Sequence, residues 1–413
     1  MIEVGEASAR ILERITPLGK EVVSTATSMN RVLAASVIAP LTSPPWDNSS
    51  MDGYAIRSDD VTDQSTTLRV VSTIAAGEFA PRPLEPREAM RIMTGAAVPS
   101  GADSVIRRED SDEGRETVTF SNLRDIRKNI RRAGEDFTEG DLLFAAGESL
   151  GAAHIGVLAS AGVREVEAHR VPRVAIISSG NELVDLDDFS PDLASRKIVS
   201  SNSLTLAALV RDAGGEPVYL GIARDDPQSL RRLLEKASDC DLIITSAGIS
   251  VGDQDHVRAV IGDLGGELVF WKVRMRPGAP LAFGTLGQVP WLGLSGNPVS
   301  AIVSFEVFVR PVIRRMLGFS KLFRETVKAR VTDRIHLGAP LMHFLRSVVT
   351  READGVYTAV LAGSQSSSVL TALARANALL ILPADNMDIG VGEMCRALPL
   401  RDDFGLSSEL ILT

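Results

Sequence analysis

Cysteine is scarce in this chain, with Cys240 and Cys395 the only two among 413 residues. Two thiols cannot supply a disulfide framework, an all-thiolate zinc site or a fully thiolate-ligated iron–sulfur cluster. We therefore expect two free thiols, partly or fully buried, in a cytoplasmic protein, because the cytosol keeps thiols reduced.

An excess of positive charge is also lacking. The 44 basic and 53 acidic side chains give a formal net charge of −9, a balance that disfavours nucleic acid and anionic membrane surfaces as partners. We expect no targeting segment at residues 1–15, where the spacing of Val4, Ala7, Ile11 and Ile15 predicts an amphipathic helix. The uncharged stretch 277–305 contains four prolines, so we expect short buried strands and turns there and no membrane span.

Two common nucleotide-binding signatures are missing, and so is an obvious metal site. The chain has neither the loop G-x-x-x-x-G-K-[ST] nor the fingerprint G-x-G-x-x-G, which disfavours an ordinary P-loop NTPase and a Rossmann dehydrogenase. Its five histidines show no metal-ligand spacing.

Residues 171–318 contain apolar strand segments that alternate with helical segments, for example the strands 174–177, 218–222 and 242–245. This alternation predicts a doubly wound, mostly parallel sheet covered by helices on both faces. The helix at 203–213 is predicted to be capped by Asn202, and a long helix is predicted to begin at Pro298. Residues 46–123 and 322–413 are β-like, so the fold class is multidomain α/β plus β.

Polar loops follow the carboxyl ends of the predicted parallel strands, where ligands bind in open α/β sheets. They lie at 178–182, 224–226, 246–255 and 295–298. Gly296, Asn297 and Pro298 open a helix and could bind a phosphate, and the loop 246–252 could form a second anion nest. Glu182, Asp225 and Asp255 would then surround Mg²⁺ on a pyrophosphate.

Each element has a simpler structural reading. A glycine turn before a helix is usually structural, and the acidic pair 225–226 before Pro227 could simply cap a helix. The basic run 124–132 is either a solvated face or an attraction for an anionic ligand. Convergence of the loops on one sheet edge favours the ligand site.

Several longer motifs resemble one known family. The run 47–55, DNSSMDGYA, is similar to the D-N-S-x-M-D-G-Y-A signature of the molybdopterin molybdenumtransferases of the MoeA type, to which the gephyrin E domain belongs. Similar motifs follow in the family's order along the whole chain, at 92–103, 132–136, 178–183, 224–227, 246–255, 294–300 and 363–377.

The resemblance implies four domains. A helical linker domain combines 1–44 with 134–170, and a β-rich domain is inserted at 45–133. A MogA/MoaB-like α/β domain occupies 171–319, and a β-barrel-like domain occupies 320–413. The family also implies a homodimer, with the cleft built from the α/β domain of one subunit and other domains of its partner.

The implied reaction inserts molybdenum from molybdate into adenylylated molybdopterin, with Mg²⁺-dependent release of AMP. Asp225 and Asp255 would hold Mg²⁺, Glu182 and Lys272 would act in the same cleft, and Asp52 and Asp136 would come from the partner subunit. A molybdopterin adenylyltransferase and a molybdoenzyme or carrier protein are the implied partners. The cofactor-binding residues would be Thr94, Gly95, Asn202, Ser246, Gly248, Ser250, Gly252, Arg276, Gly296, Asn297, Pro298, Arg346, Ser366 and Ser367.

The chain departs from the family pattern at four positions, three in these motifs and one in the run 277–280, PGAP, where the family has P-G-K-P. Asn181 stands in place of Asp, Ala247 in place of Gly, Ser295 in place of Pro and Ala279 in place of Lys. Loss of the lysine removes a cation from an oxyanion site, which leaves a second reading: a catalytically weakened paralogue that serves as a molybdopterin-binding scaffold or carrier. Retention of the acidic residues and Lys272 favours the enzyme.

Overall fold

The structure, a computed structural model, describes residues 1–247 and 260–401. The chain separates into two compact units, one formed by 22–168 and the other by 1–21 together with 169–413. This division is coarser than the predicted four domains, which remain a prediction. Within the described residues, no helix combines the length and apolar character needed to cross a membrane.

The chain begins with helix α1 (Val4–Leu12), which buries Val4, Ala7 and Ile11 as its spacing predicts. Most of the elements that follow belong to the unit 22–168. They are β1 (Lys20–Ser24), β2 (Val37–Ile38), β3 (Asn48–Ser49), β4 (Gly53–Ile56), β5 (Thr67–Ile74), β6 (Glu88–Ile92), β7 (Ser104–Arg107), β8 (Thr117–Thr119), β9 (Ile130–Arg131), β10 (Leu142–Phe144), α2 (Ala152–Ser160) and β11 (Glu165–His169). A five-stranded sheet in the order β7-β4-β6-β5-β8 confirms the β-rich character of this part.

The second unit contains the predicted α/β layer. Its elements are β12 (Arg173–Ser179), β13 (Leu183–Val184), β14 (Ile198–Val199), α3 (Ser201–Asp212), β15 (Glu216–Ala223), α4 (Pro227–Lys236), β16 (Leu242–Ser246), β17 (Glu267–Trp271), β18 (Met275–Arg276), β19 (Ala282–Leu286), β20 (Val289–Leu294), α5 (Pro298–Ser304) and α6 (Arg310–Met316). Residues 260–263 are helical, and a π-helical turn (Phe305–Val309) joins α5 to α6.

The sheet order is β15-β12-β16-β20-β19-β17, and only β19 runs against the other strands. The mostly parallel sheet is therefore confirmed. Alternate residues of β12 face opposite cores: Val174 and Ile176 belong to one buried cluster, Ala175 and Ile177 to another. Two covered faces explain why these strands are continuously apolar in sequence.

The C-terminal part closes into a small barrel. Its elements are β21 (Val327–Val331), β22 (Ile335–His336), β23 (Met342–Arg351), β24 (Tyr357–Leu361), α7 (Leu370–Arg375), β25 (Ala378–Leu382), β26 (Asp388–Ile389) and β27 (Met394–Pro399). Hydrogen bonding runs β23-β24-β21-β27-β25 and returns to β23, so five strands form a closed ring. The predicted hairpin around 354–355 and the predicted β-barrel-like domain are both confirmed.

Two sequence predictions need correction or qualification, and a third is confirmed. Strand β19 lies in the stretch 277–305, where short buried strands were expected, but its position and its antiparallel direction were not predicted. Asn202 does not cap α3, since the helix begins one residue earlier, at Ser201. Both cysteines are free thiols as predicted, with Cys240 buried and Cys395 half-buried.

Candidate functional site

A cavity of about 790 Å³ lies at the carboxyl edge of the parallel sheet. The loops after β12, β15, β16 and β20 contribute to its lining, as the strand-end rule predicts. The structure brings seven of the predicted site residues to this cavity: Glu182, Asn202, Asp225, Ser246, Gly296, Asn297 and Pro298.

Other lining residues were missed. Leu183, Ile198, Val199, Ser200 and Ser201 reach the cavity because β13 and β14 pair in parallel and place the start of α3 at the sheet edge. The sequence offered one signal for these lining residues: the two serines, Ser200 and Ser201, that stand just before the helix predicted at 203–213.

Asn202 holds two walls of the cavity together. Its buried amide nitrogen donates to Ser246 Oγ at 2.7 Å and to the Gly296 carbonyl at 2.8 Å. Both amide protons are therefore used within the protein, and the Ser246 hydroxyl keeps its own proton for a ligand. Asn202 acts as a bridge between the loops that follow β16 and β20.

The two acidic residues at 225 and 226 have different surroundings. Asp226 is the N-cap of α4, and its Oδ1 accepts the Ser229 backbone N–H at 2.7 Å. Asp225 is exposed and lines the cavity. Helix capping thus explains Asp226 but leaves Asp225 available to a ligand or metal.

The Glu182 carboxylate folds back against Gly180 in the loop after β12. A Cβ on Gly180, whose φ is +144°, would approach Glu182 Oε2 to 2.5 Å. The exposed Glu182 also accepts the Ile198 N–H through its backbone carbonyl at 2.9 Å. Glycine suits position 180 because of its positive φ, and its lack of a side chain leaves room for the Glu182 carboxylate in this position.

The start of α5 offers fewer donors than predicted. Asn297 occupies the N-cap position, but its side chain makes no capping hydrogen bond. Pro298 has no N–H, and the Val299 N–H is donated to the Ser367 carbonyl at 3.3 Å. An anion at this end would depend on the Ser246 hydroxyl as well as on the helix terminus.

Arg346 lies inside the barrel domain and is fully buried. Its Nη2 donates to the carbonyls of Ser364 and Ser366 at 2.7 and 3.2 Å, and burial lowers the pKa of its guanidinium. Arg346 thus holds the segment that contains Ser366 and Ser367, while the neighbouring Ser368 is the residue of this segment that lines the cavity.

The two other predicted cations, Lys272 and Arg276, are not among the described residues that line the cavity. Lys272 follows β17 with a left-handed φ of 80°, and Arg276 is exposed on β18. Their predicted roles remain predictions.

Within the unit 22–168, Asp52 and Thr94 are in direct contact. Thr94 donates its N–H and its hydroxyl to Asp52 Oδ1 at 2.7 and 2.8 Å, and these bonds lower the pKa of the Asp52 carboxyl, the backbone bond most. Gly95 has a φ of +81°, which glycine adopts freely. Asp136 is exposed in the same unit.

The basic run of this unit is partly neutralised by local acids. Arg124 pairs with Asp110 at 2.8 Å, and Arg132 pairs with Asp47 at 2.5 Å. These ion pairs favour the solvated-face reading for those two arginines.

The structure describes only part of the predicted Mg²⁺ site. The predicted residues Gly248, Ser250, Gly252 and Asp255 lie outside the described residues. In the remainder of the chain, no group of three His, Cys, Asp or Glu side chains is placed to hold a metal. Glu182 and Asp225 nevertheless line one cavity, and one or two carboxylates suffice for Mg²⁺ that also binds substrate phosphates.

Known proteins resemble this chain along its whole length. Residues 2–162 match the MoeA N-terminal region (domain I and II), 175–315 match a family described as "probable molybdopterin binding domain", and 328–400 match the MoeA C-terminal region (domain IV). A molybdopterin molybdenumtransferase from Nostoc sp. is 38% identical over 390 residues, which is 92% of this chain and 88% of the relative.

A second molybdopterin molybdenumtransferase, from Haemophilus influenzae, is 33% identical and covers 98% of this chain and 100% of its own. The crystal structure of a molybdopterin biosynthesis MoeA protein from Pyrococcus horikoshii superposes with a TM-score of 0.82 at 28% identity, covering 97% of this chain and 99% of that one. These similarities confirm the family that the motifs predict: the chain belongs to the MoeA family of molybdopterin molybdenumtransferases, which are enzymes of molybdenum cofactor biosynthesis.

Proposed function

We propose that this protein inserts molybdate into adenylylated molybdopterin and releases AMP in a Mg²⁺-dependent step. The observation that carries the proposal is the cavity of about 790 Å³, which combines the Ser246 hydroxyl with the carboxylates of Glu182 and Asp225. A cavity of this size is suited to a ligand as large as a nucleotide joined to a pterin.

The polar groups of the cavity match the charges of such a ligand. Asn202 fixes the Ser246 oxygen, so the Ser246 proton is directed to an acceptor such as a phosphate oxygen. The start of α5 favours an anion through its dipole. Together these groups would bind and orient the pyrophosphate before its phosphoanhydride is cleaved.

Asp225 is the described residue that would hold Mg²⁺, and Asp255 would be the second ligand. When bound there, Mg²⁺ would neutralise negative charge on the substrate's phosphate groups and would so favour departure of AMP. Glu182 would orient water or substrate at the same edge of the cavity.

AMP release from adenylylated molybdopterin, measured with and without molybdate and Mg²⁺, tests the proposal. We expect release to need both ions and to be lost in Asp225→Asn. Asp385→Asn, an exposed acid of the barrel domain, is the matched control and should retain activity. Release that is independent of Mg²⁺ and unchanged in Asp225→Asn would contradict the proposal, and binding without release would favour the scaffold or carrier reading.

We also propose that two copies of the chain assemble, with Asp52 and Asp136 supplied by the partner. The support is that these acidic motif residues lie in the unit 22–168, whereas the cavity lies wholly in the other unit. Sedimentation at micromolar concentration should show a species of twice 44.1 kDa. A single 44.1 kDa species would contradict this assembly.

A further inference from the structure

Ser295 directly follows β20, at a position where the family pattern has proline. The serine side chain is buried, and the residue lines the cavity. Its Oγ accepts the Asn297 backbone N–H at 3.3 Å. Since a backbone N–H can only donate, this bond uses an oxygen lone pair and leaves the hydroxyl proton for another acceptor. Among the described residues, none takes that proton.

A second hydroxyl with an unused proton lies at the same corner of the cavity. Ser246 is the last residue of β16, and its Oγ accepts from the Asn202 amide at 2.7 Å. The same amide also donates to the carbonyl of Gly296, the residue after Ser295. Strands β16 and β20 run parallel, with Ser246 in register with Leu294. The two serines therefore lie where neighbouring strands end.

The two strand ends are held close together beyond these serines. A Cβ on Gly296 would lie 2.9 Å from the Ala247 Cβ, so a side chain at 296 would force the two loops apart. The Ala247 N–H also donates to the Leu294 carbonyl at 3.0 Å. The corner that contains both hydroxyls is therefore built by backbone contacts as well as by the Asn202 side chain.

The described lining of the cavity offers no cation to an anionic ligand. Its charged side chains are those of Glu182 and Asp225, and both are acidic. At position 279, where the family has lysine, the chain has alanine. An anion at the described walls must therefore depend on neutral donors or on a bound metal ion. Buried hydroxyls suit this task, because a hydrogen bond to a charged acceptor is strong where water is excluded.

We propose that Ser295 is a further substrate-binding residue of this chain, whose hydroxyl donates, beside that of Ser246, to an anionic oxygen of the substrate's pyrophosphate. The inference rests on the proposed function for the identity of the ligand. A pyrophosphate has several acceptor oxygens, so it can use two donors at one corner. Proline at this position would supply no proton to the ligand. The chain therefore has one neutral donor more than the family pattern provides.

Direct binding measurements on the full-length protein, at one fixed concentration of Mg²⁺, test the inference. The probes are inorganic pyrophosphate and adenosine, which has no phosphate. We expect Ser295→Ala to bind pyrophosphate about tenfold more weakly than wild type, because a hydrogen bond to a charged acceptor is lost. Adenosine binding should not change. Ser304→Ala is the matched control and should behave as wild type, since Ser304 is buried in α5 and is not among the described residues that line the cavity.

Ser295→Asp separates ligand binding from a purely structural role. An aspartate keeps an acceptor for the Asn297 N–H, because Asp and Ser both accept a backbone N–H two residues further on in such turns. It has no proton to donate at neutral pH, and its charge repels an anion. We therefore expect Ser295→Asp to bind pyrophosphate even more weakly than Ser295→Ala does. If Ser295 only held the turn, the order would be reversed, with the aspartate variant close to wild type.

Three results would overturn the inference and leave the proposed function standing. They are unchanged pyrophosphate binding in Ser295→Ala, equal weakening of both probes in that variant, and wild-type pyrophosphate binding in Ser295→Asp. Should Ser295→Ala not fold, the measurement on Ser295→Asp decides by itself. Failure of wild type to bind pyrophosphate would contradict the proposed function and, with it, the inference.

Discussion

Asn181 and Asp225, on neighbouring loops of the cavity, form a reciprocal pair of hydrogen bonds. The Asn181 N–H donates to Asp225 Oδ2 at 3.2 Å, and the Asp225 N–H donates to Asn181 Oδ1 at 3.3 Å. The ammonium of Lys197 also contacts the Asn181 carbonyl. Asn181, one of the departures from the family pattern, thus keeps the side-chain acceptor that an aspartate would provide, without its charge.

Substitution of Asp225 should affect AMP release, whereas substitution of its neighbour Asp226 should affect stability. Asp226→Ala removes the cap of α4 and should lower the free energy of unfolding by about 1 kcal/mol, with AMP release retained. Asp225→Ala should abolish Mg²⁺-dependent AMP release with an unfolding midpoint close to wild type. Urea denaturation and AMP assays on both variants measure the difference. The opposite pattern would show that the capping and ligand roles are reversed.

Ala247 has a left-handed backbone, with a φ of 71°, at a position where the family has glycine. An L-residue pays about 1 kcal/mol for this conformation, so Ala247→Gly should raise the free energy of unfolding by up to that amount. Ala279→Gly is the control, because Ala279 is not left-handed and should lose stability on the same change. Equal effects of the two substitutions in urea denaturation would contradict the strain at Ala247.

Position 279 has alanine where the family has lysine, so restoring the lysine should strengthen molybdate binding. Ala279 precedes Pro280, which lines the cavity, and the partly exposed side chain of Arg274 contacts Glu3 and the Pro340 carbonyl. Ala279→Lys should tighten apparent molybdate affinity about tenfold, by attraction between the ammonium and a dianion. The molybdate concentration for half-maximal AMP release, at fixed ionic strength, measures it. An unchanged or higher value would show that Arg274 or Arg276 already supplies the positive charge for the oxyanion.

The pKa of the Asp52 carboxyl should rise when the Thr94 hydroxyl is removed. Since the pKa of Asp52 is lowered in the folded state, its stabilisation is present above the unfolded value of about 3.9 and is lost as the pH falls through the folded value. In Thr94→Val the pKa should rise toward its ordinary value, and the variant should be less stable than wild type at neutral pH but not at about pH 2. Titration by NMR and urea denaturation measure both effects, with Thr94→Ser expected to restore the wild-type behaviour. An unchanged Asp52 pKa in Thr94→Val would contradict the role of the hydroxyl.

The sequence alone predicted the central sheet well. The strands around 174–177, 218–222 and 242–245 are apolar and separated by helical segments, and burial on both faces requires that pattern. Because parallel strands place their carboxyl ends at one edge, the convergence of Asp225, Ser246 and Gly296 also followed from local sequence.

Tertiary packing decided which atoms of those residues are available. The sequence predicts that Asn202 caps a helix, but its side-chain amide donates to Ser246 and to the Gly296 carbonyl, which are 44 and 94 residues away in the chain. From the sequence, Arg346 was expected to bind the cofactor, but its side chain is fully buried and donates hydrogen bonds to the carbonyls of Ser364 and Ser366. Such contacts depend on the register of strands far apart in the chain, which no local pattern encodes.

What the sequence determined by itself was therefore the family, the α/β layer and the edge of the sheet where ligands bind, because motif identity and hydrophobic periodicity are local properties. Only the tertiary structure decided the direction of the hydrogen bonds at that edge. Asn202, on α3, and Ser246, at the end of β16, are 44 residues apart in the chain and meet at this edge. A hydroxyl becomes a donor or an acceptor according to the partner that packing places next to it.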